Sequence, residues 1–258
     1  MRFGIGCGLS YAETVKNAGY DYLEPPLKNL CVMSEDDFKA ACEKLKNIGI
    51  KAEAFNGFFP ADMALVGDEV DLDRVSEHSK IGLCRAAALG AEVAVIGSGA
   101  ARKIPEGFDV DRAKEQFMGV VRTCADIGAQ YGIKIVVEPL NKNETNYINT
   151  VADGIELVRA LGHSNVACLA DFYHMYREKE DVSILERRDY PLLHVHLARP
   201  NDDRRMPTEE DMPVIEKWAE ALRKGGYDNR ITLEGSFKPE FVETITTVRP
   251  RLEVFNKK

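Results

Sequence analysis

The chain has 258 residues, 45% of them hydrophobic and 29% charged, the balance of a globular protein long enough to bury a large core. Its 34 Lys and Arg against 42 Asp and Glu leave a net charge of −8, which disfavours a duplex-binding surface. No run approaches the roughly 18 uninterrupted apolar residues of a membrane span, so neither nucleic acid nor a membrane is an expected partner.

The chain opens on RFGIGC (2–7), which reads as a first strand, since it has no long apolar leader core. Further strand-like runs are DYLEP (21–25), KAEAF (51–55), EVAVIG (92–97), KIVVEP (134–139), VACLAD (166–171), LLHVHL (192–197) and RITLEG (230–235). Several are near-continuously apolar, as buried parallel strands are. Helical patterns lie between them. The span 34–47 starts on Ser34 with three acids behind it, an N-cap followed by first-turn acids. Spans 71–89, 109–131 and 150–161 run up to Gly90, Gly132 and Gly162, in the position of C-terminal glycine caps. A short charged helix is expected over 178–187, a longer one over 208–224 before Gly225-Gly226, and a last one over 238–253.

Strands alternating with helices imply a parallel sheet. Eight strands in about 250 residues predict a (β/α)₈ TIM barrel, one domain over 1–258. An open doubly wound sheet is the rival, but IGCGLS matches the Gly-rich phosphate turn only in part. Cys7, Cys31, Cys42, Cys84, Cys124 and Cys168 are scattered, with no C-x-x-C pair. They read as small core residues in a reducing cytoplasm.

Four metal-ligand candidates stand near the ends of four successive strands: Glu138, Asp171, His196 and Glu234. A parallel barrel gathers those ends on one face. Carboxylates plus one imidazole suit a divalent ion such as Mn²⁺, Co²⁺, Mg²⁺ or Zn²⁺. Taken singly, each carboxylate has a second reading as a cap of the following helix, which four in successive strands make the weaker one. His174, Glu144 and either Arg204 or Arg205 lie close by in sequence as neighbours of the site. His194 and His196 share a strand face, His194 reading as buried and hydrogen-bonded; His78 and His163 read as solvated. Ser98, Arg102 and Lys103 after the fourth strand fit a phosphate cradle, and fit a plain barrel loop as well.

Four motifs in order, Glu138-Pro-Leu-Asn-Lys-Asn-Glu144, Asp171-Phe-Tyr-His-Met175, His194-Val-His196 with Arg204-Arg205-Met-Pro, and Leu233-Glu234-Gly235, cover the C-terminal half. In these the chain resembles the xylose-isomerase-like TIM-barrel superfamily of sugar isomerases and epimerases. Within it the pattern is most similar to the ketose 3-epimerases of the D-tagatose and D-psicose (allulose) type. The resemblance implies one divalent ion, Mn²⁺ first, held by Glu138, Asp171, His196 and Glu234. It implies Glu138 and Glu234 as the acid/base pair acting through a metal-stabilised enediolate. It also implies that His174 and Arg204 hold substrate oxygens and that Glu144 supports them. The substrate would be a sugar or sugar phosphate, and the enzyme a cytoplasmic homodimer or homotetramer.

There are departures from that pattern. The loop before the Arg pair is longer, which leaves Arg204 and Arg205 both open. The sole tryptophan, Trp218, sits in a helix, and Cys7 stands where an aromatic would be comfortable. Phe58 and Phe59 read equally as an aromatic wall or as core. A metal-dependent dehydratase of the inosose or dehydroshikimate type and a hydroxypyruvate-type isomerase are alternatives in the same fold. An endonuclease IV-like nuclease, which needs a histidine-rich three-zinc cluster, and a non-catalytic sugar-binding barrel fit less well.

Overall fold

In a computed structural model, which describes residues 1–201, 203–238 and 240–257, every strand-like run joins one parallel sheet. The strands are β1 (Arg2–Ile5), β2 (Tyr22–Leu23), β3 (Lys51–Ala52), β4 (Ala54–Phe55), β5 (Val93–Ile96), β6 (Lys134–Val137), β7 (Val166–Asp171), β8 (Leu192–Leu197) and β9 (Arg230–Leu233). Their order is β3-β2-β1-β9-β8-β7-β6-β5-β4. The two ends of that order are halves of the single run 51–55, interrupted at Glu53: β3 pairs with β2 and β4 with β5. The ring therefore closes as a barrel of eight chain runs. At the interruption the Glu53 carbonyl accepts from the N–H groups of both Glu92 and Val93, at 2.8 and 3.2 Å.

Helices α1 (Ala12–Asn17), α2 (Leu27–Val32), α3 (Glu35–Ile48), α4 (Leu72–Ala88), α5 (Val110–Gln130), α6 (Val151–Leu161), α7 (Phe172–Arg177), α8 (Met212–Lys224) and α9 (Phe241–Val248) follow the strands. The capping chemistry is the one the sequence calls for. Ser34, Asp71, Asp109 and Thr150 each accept from a first-turn N–H, and Gly49 and Gly162 close α3 and α6 in the left-handed conformation. Two spans differ from expectation. After β7 the helix begins at once, as α7, and 178–187 holds only a 3₁₀ segment over Val182–Glu186. Asp171 ends the strand and caps the helix in one residue, so no loop intervenes. The final span is α over Phe241–Val248 and 3₁₀ over Arg249–Asn256, the change falling at Pro250, which cannot donate to the helical ladder. Pro239 of that span and Asp202 of the loop before the Arg pair lie outside the described residues.

Cys124 and Cys168 are buried and the half-buried Cys7, Cys31 and Cys42 pack against the core, but Cys84 is exposed on α4, so the reading of all six as core residues is corrected there. His78 is not solvated either. Its Nε2 lies 2.7 Å from the Phe58 carbonyl and its ring stacks on Phe59. Phe58 and Phe59 are themselves core, at 0% and 3% exposure. His163 is partly covered and accepts from the Asn165 N–H.

Inside the barrel, side chains alternate along each strand and form layers. At the N-terminal end Arg230 donates to Glu53 at 2.9 Å and to Glu92 at 2.5 Å, and Arg2 also reaches Glu53. Above lies an apolar layer of Tyr22, Ala54, Val93, Val95, Val136, Ala167 and Leu169. Gly4 leaves room there for the Tyr22 ring, which a Cβ would overlap.

Candidate active site

The next step of the alternation builds the site. Two residues beyond Val136, Leu169, His194 and Thr232 come Glu138, Asp171, His196 and Glu234. The same step from Tyr22 and Ala54 gives Glu24 and Asn56. Register holds the rows level: Asp171 is opposite His196, and the Glu234 N–H donates to the Leu197 carbonyl at 3.2 Å.

Glu138, Asp171, His196 and Glu234 converge so that one ligand atom from each lies within 4.8 Å of all the others. Nδ1 of His196 is the hub, 3.0 Å from Glu138 Oε1, 3.3 Å from Glu234 Oε2 and 3.9 Å from Asp171 Oδ2. Asp171 serves two ends at once. Its Oδ1 caps α7, accepting from the Tyr173 and His174 N–H groups at 2.7 and 3.2 Å, while Oδ2 faces the cluster. The capping and ligand readings of this residue are therefore compatible. Gly97 makes the room, because a Cβ there would overlap the Glu138 carboxylate.

Arg204, in the left-handed conformation at φ 48°, reaches in from the loop after β8. Its Nη2 donates to Asp171 Oδ2 at 3.0 Å and to Glu234 Oε2 at 2.5 Å, and its guanidinium lies over the Tyr173 ring. Arg205 instead pairs with Asp203 at the surface. His174 is buried; its Nδ1 accepts from the Asn141 backbone N–H at 3.1 Å, so the proton of the neutral ring sits on Nε2, an atom with no partner, 3.6 Å from Asp171 Oδ2. Glu144 accepts from Asn141 Nδ2 at 3.0 Å and stands 3.7 Å from Arg204.

The two flanking glutamates are driven apart electrostatically. Burial pushes the Glu138 carboxyl up, and His196 only partly offsets it. Burial acts the same way on Glu234, but Arg204 and His196 overcome it and hold that carboxyl well below its ordinary range. Glu234 also opens onto a cavity of about 270 Å³ lined by Gly6, Cys7, Gly8, Pro26, Asn56, Arg204 and Gly235. Burial pushes the Cys7 thiol up to about 12, so it enters the cavity as a neutral group.

Sequence reasoning passed over Glu24 and Asn56. Asn56 Nδ2 donates to Glu234 Oε1 at 3.1 Å. Glu24, fully buried, lies 2.7 Å from both His194 Nε2 and His196 Nε2. The two-residue step that places the four ligands also marks these residues, and DYLEP carries a glutamate before its closing proline just as KIVVEP does. The phosphate-cradle reading of the loop after β5 loses its arginine. Arg102 is fully buried and donates to the carbonyls of Glu138, Ile148 and Ile96 at 2.7, 3.3 and 3.4 Å. Trp218 packs on Phe172 and takes no part in the site.

Three carboxylates and an imidazole in one pocket, with Arg204 bridging two of the carboxylates, are a donor set that fits a divalent cation.

A family model described as "Xylose isomerase-like TIM barrel" matches residues 12–252. The D-psicose 3-epimerase of Agrobacterium fabrum (strain C58 / ATCC 33970) is 26% identical over 253 residues, covering 95% of this chain and 83% of that protein. The 3-dehydro-D-guloside 4-epimerase of Escherichia coli (strain K12) is 28% identical over 138 residues, 53% of this chain and 50% of that one. A crystal structure of D-psicose 3-epimerase in the presence of D-fructose superimposes with a TM-score of 0.84 at 20% identity, over 100% of both chains.

Proposed function

Because the chain belongs to the xylose isomerase-like TIM-barrel family, we propose that its acidic site holds one divalent metal ion and epimerises a ketose at C3. The observation that carries this reading is the convergence of Glu138, Asp171, His196 and Glu234 within 4.8 Å. Mn²⁺ is the first choice for these ligands, with Co²⁺, Mg²⁺ and Zn²⁺ compatible. Bound there, the ion would supply Lewis acidity to a ketose carbonyl and make the neighbouring C–H more acidic.

The chain's own residues do the rest. Glu138 and Glu234 directly follow β6 and β9, three places apart in the strand order, and reach His196 Nδ1 from either side of β7 and β8. Their carboxyls are biased in opposite directions, the arrangement that separates an acid from a base. One takes the C3 proton from one face of the sugar and the other returns a proton to the opposite face, which inverts the carbon. His174 offers its unpartnered Nε2–H to a substrate oxygen. Arg204 moves its Nη2 between the carboxylates and the substrate, and Glu144 braces it. A free sugar or sugar phosphate enters past the small residues Gly6, Cys7 and Gly8. The homodimer or homotetramer and the cytoplasmic location belong to the same proposal. Among the described residues no helix is long and apolar enough to cross a membrane.

Proton NMR in D₂O with Mn²⁺ over a panel of free and phosphorylated ketoses tests the reaction. Solvent deuterium at C3 together with a new epimer is the expected result. Exchange confined to C1 would reassign the chain as an aldose–ketose isomerase, and loss of water would reassign it as a dehydratase.

The same assay separates the two arginines. Arg204→Ala is expected to lower kcat/KM by about 10–100-fold, the loss of one charged hydrogen bond at roughly 1.5–3 kcal/mol. Arg205→Ala, at an exposed surface pair, should change stability by no more than about 0.5 kcal/mol and leave turnover intact. Equal losses in the two variants would remove Arg204 from the substrate site.

A further inference from the structure

We propose that Glu24 is a positioning residue: it fixes the tautomer and ring angle of His196, and through them the affinity of the site for a divalent ion. The inference rests on the metal-binding reading above, but on geometry of its own. Glu24 stands one step past Tyr22 on β2 and crosses the barrel interior to β8. Its Oε1 lies 2.7 Å from His196 Nε2; its Oε2 lies 2.7 Å from His194 Nε2 and accepts from the Thr232 hydroxyl. Thr232 Oγ1 in turn receives the Tyr22 phenol at 2.8 Å. Glu24, His194, His196 and Thr232 are all 0% exposed, so no water competes for these groups.

The donors decide the tautomer. A carboxylate has only acceptors, so each histidine turns an Nε2–H toward Glu24. That leaves Nδ1 as the ring atom of His196 that can turn to an ion, and it is the atom facing Glu138, Glu234 and Asp171; without an ion it too carries a proton, donated to Glu138 at 3.0 Å, which an incoming cation displaces. Histidine ligands characteristically hand their other N–H to a carboxylate, which fixes the ring and strengthens it as a ligand. His194 has the same partner, but its Nδ1 is buried with no partner and faces none of the three acids. It completes the fixing of Glu24 from the second side.

Glu24, His194 and His196 could by proximity hold an ion themselves. The 2.7 Å contacts are hydrogen bonds in which each histidine Nε2–H points at a Glu24 oxygen, so neither Nε2 has a lone pair left for a cation. Thr232 already fills the remaining side of Glu24. One ion per chain, bound at the acidic cluster, therefore follows from the proposal.

Glu24→Gln tests it. The isosteric amide can accept from one histidine only and must turn its NH₂ toward the other, favouring the Nδ1–H form of His196. Titration calorimetry of Mn²⁺ into chelator-treated protein is expected to show one site in the parent chain and affinity about 10–100-fold weaker in the variant. A parallel measurement needs no variant. Long-range ¹H–¹⁵N spectra of the Zn²⁺-loaded parent chain should show His196 protonated on Nε2 and bound through Nδ1. Equal Mn²⁺ affinity in a folded variant, bonding of His196 through Nε2, or two ions per chain would overturn the role of Glu24 and leave the metal-binding reading standing. A parent chain that binds no divalent ion would overturn both.

Discussion

Replacing Glu234 with glutamine is expected to lower kcat by about 10²–10⁴-fold, the usual contribution of a positioned proton-transfer group, without unfolding the protein. The side chain keeps its size, and Asn56 Nδ2 keeps its acceptor at the Oε1 position. That contact decides which way the new amide lies: its oxygen faces Asn56 and its NH₂ faces Arg204 Nη2, where Glu234 Oε2 now accepts at 2.5 Å. Two donors then meet, so Arg204 swings off and the loss includes its displacement. Measuring Glu234→Gln in the Arg204→Ala background separates the two effects. A residual loss of about 10²-fold or more, measured at Mn²⁺ concentrations that saturate the variant, would belong to the missing base. Turnover at the parent level, in protein with an unchanged circular dichroism spectrum, would remove Glu234 from the acid/base pair and with it the two-glutamate mechanism.

The residues legible in the sequence are those whose local pattern coincides with their place in the barrel. VACLAD and LLHVHL form strands over the expected residues, Val166–Asp171 and Leu192–Leu197, because short, largely apolar runs with polar or proline boundaries are too short for a buried helix and fit a buried strand. Their ends carry Asp171 and His196 into the site by alternation alone. DYLEP obeys the same rule, yet only Tyr22–Leu23 pairs as strand, and the Pro25-Pro26 that follows gives the run the look of a loop entrance. Glu24 was hidden by that shortness, although its position two residues past an interior tyrosine is the same as that of the four ligands. Choosing between Arg204 and Arg205 lay beyond any pattern. Adjacent residues point in opposite directions, and the choice depends on the left-handed turn at Arg204, which an arginine does not advertise. The split of β3 from β4 was equally silent: it falls at Glu53, whose charged partners Arg2 and Arg230 come from distant strands.

Those charges at the closed end of the barrel carry the largest expected effect on stability. Glu53 has a side chain only 4% exposed, and Arg230 supports it through Nε at 2.9 Å while also reaching Glu92 at 2.5 Å. Arg230→Met keeps much of the buried stem but strands the Glu53 carboxylate. Removing one partner of a buried ion pair costs about 3–5 kcal/mol. Arg2, which also contacts Glu53 but is half-exposed, holds the cost near the lower figure, about 3 kcal/mol. At about 2–4 °C per kcal/mol for a chain approaching this size, Tm should fall by roughly 6–12 °C. The apolar layer of Tyr22, Val95, Val136 and Leu169 separates this cluster from the acidic site, so Mn²⁺ affinity and kcat well below Tm should stay at the parent values. The double variant Glu53→Leu with Arg230→Met should recover most of the loss, since a buried pair replaced on both sides by apolar groups is often neutral. A single variant as stable as the parent would mean that Arg2 alone satisfies Glu53. A double variant as unstable as the single one would mean that the cost lies in the lost Arg230–Glu92 link at the start of β5.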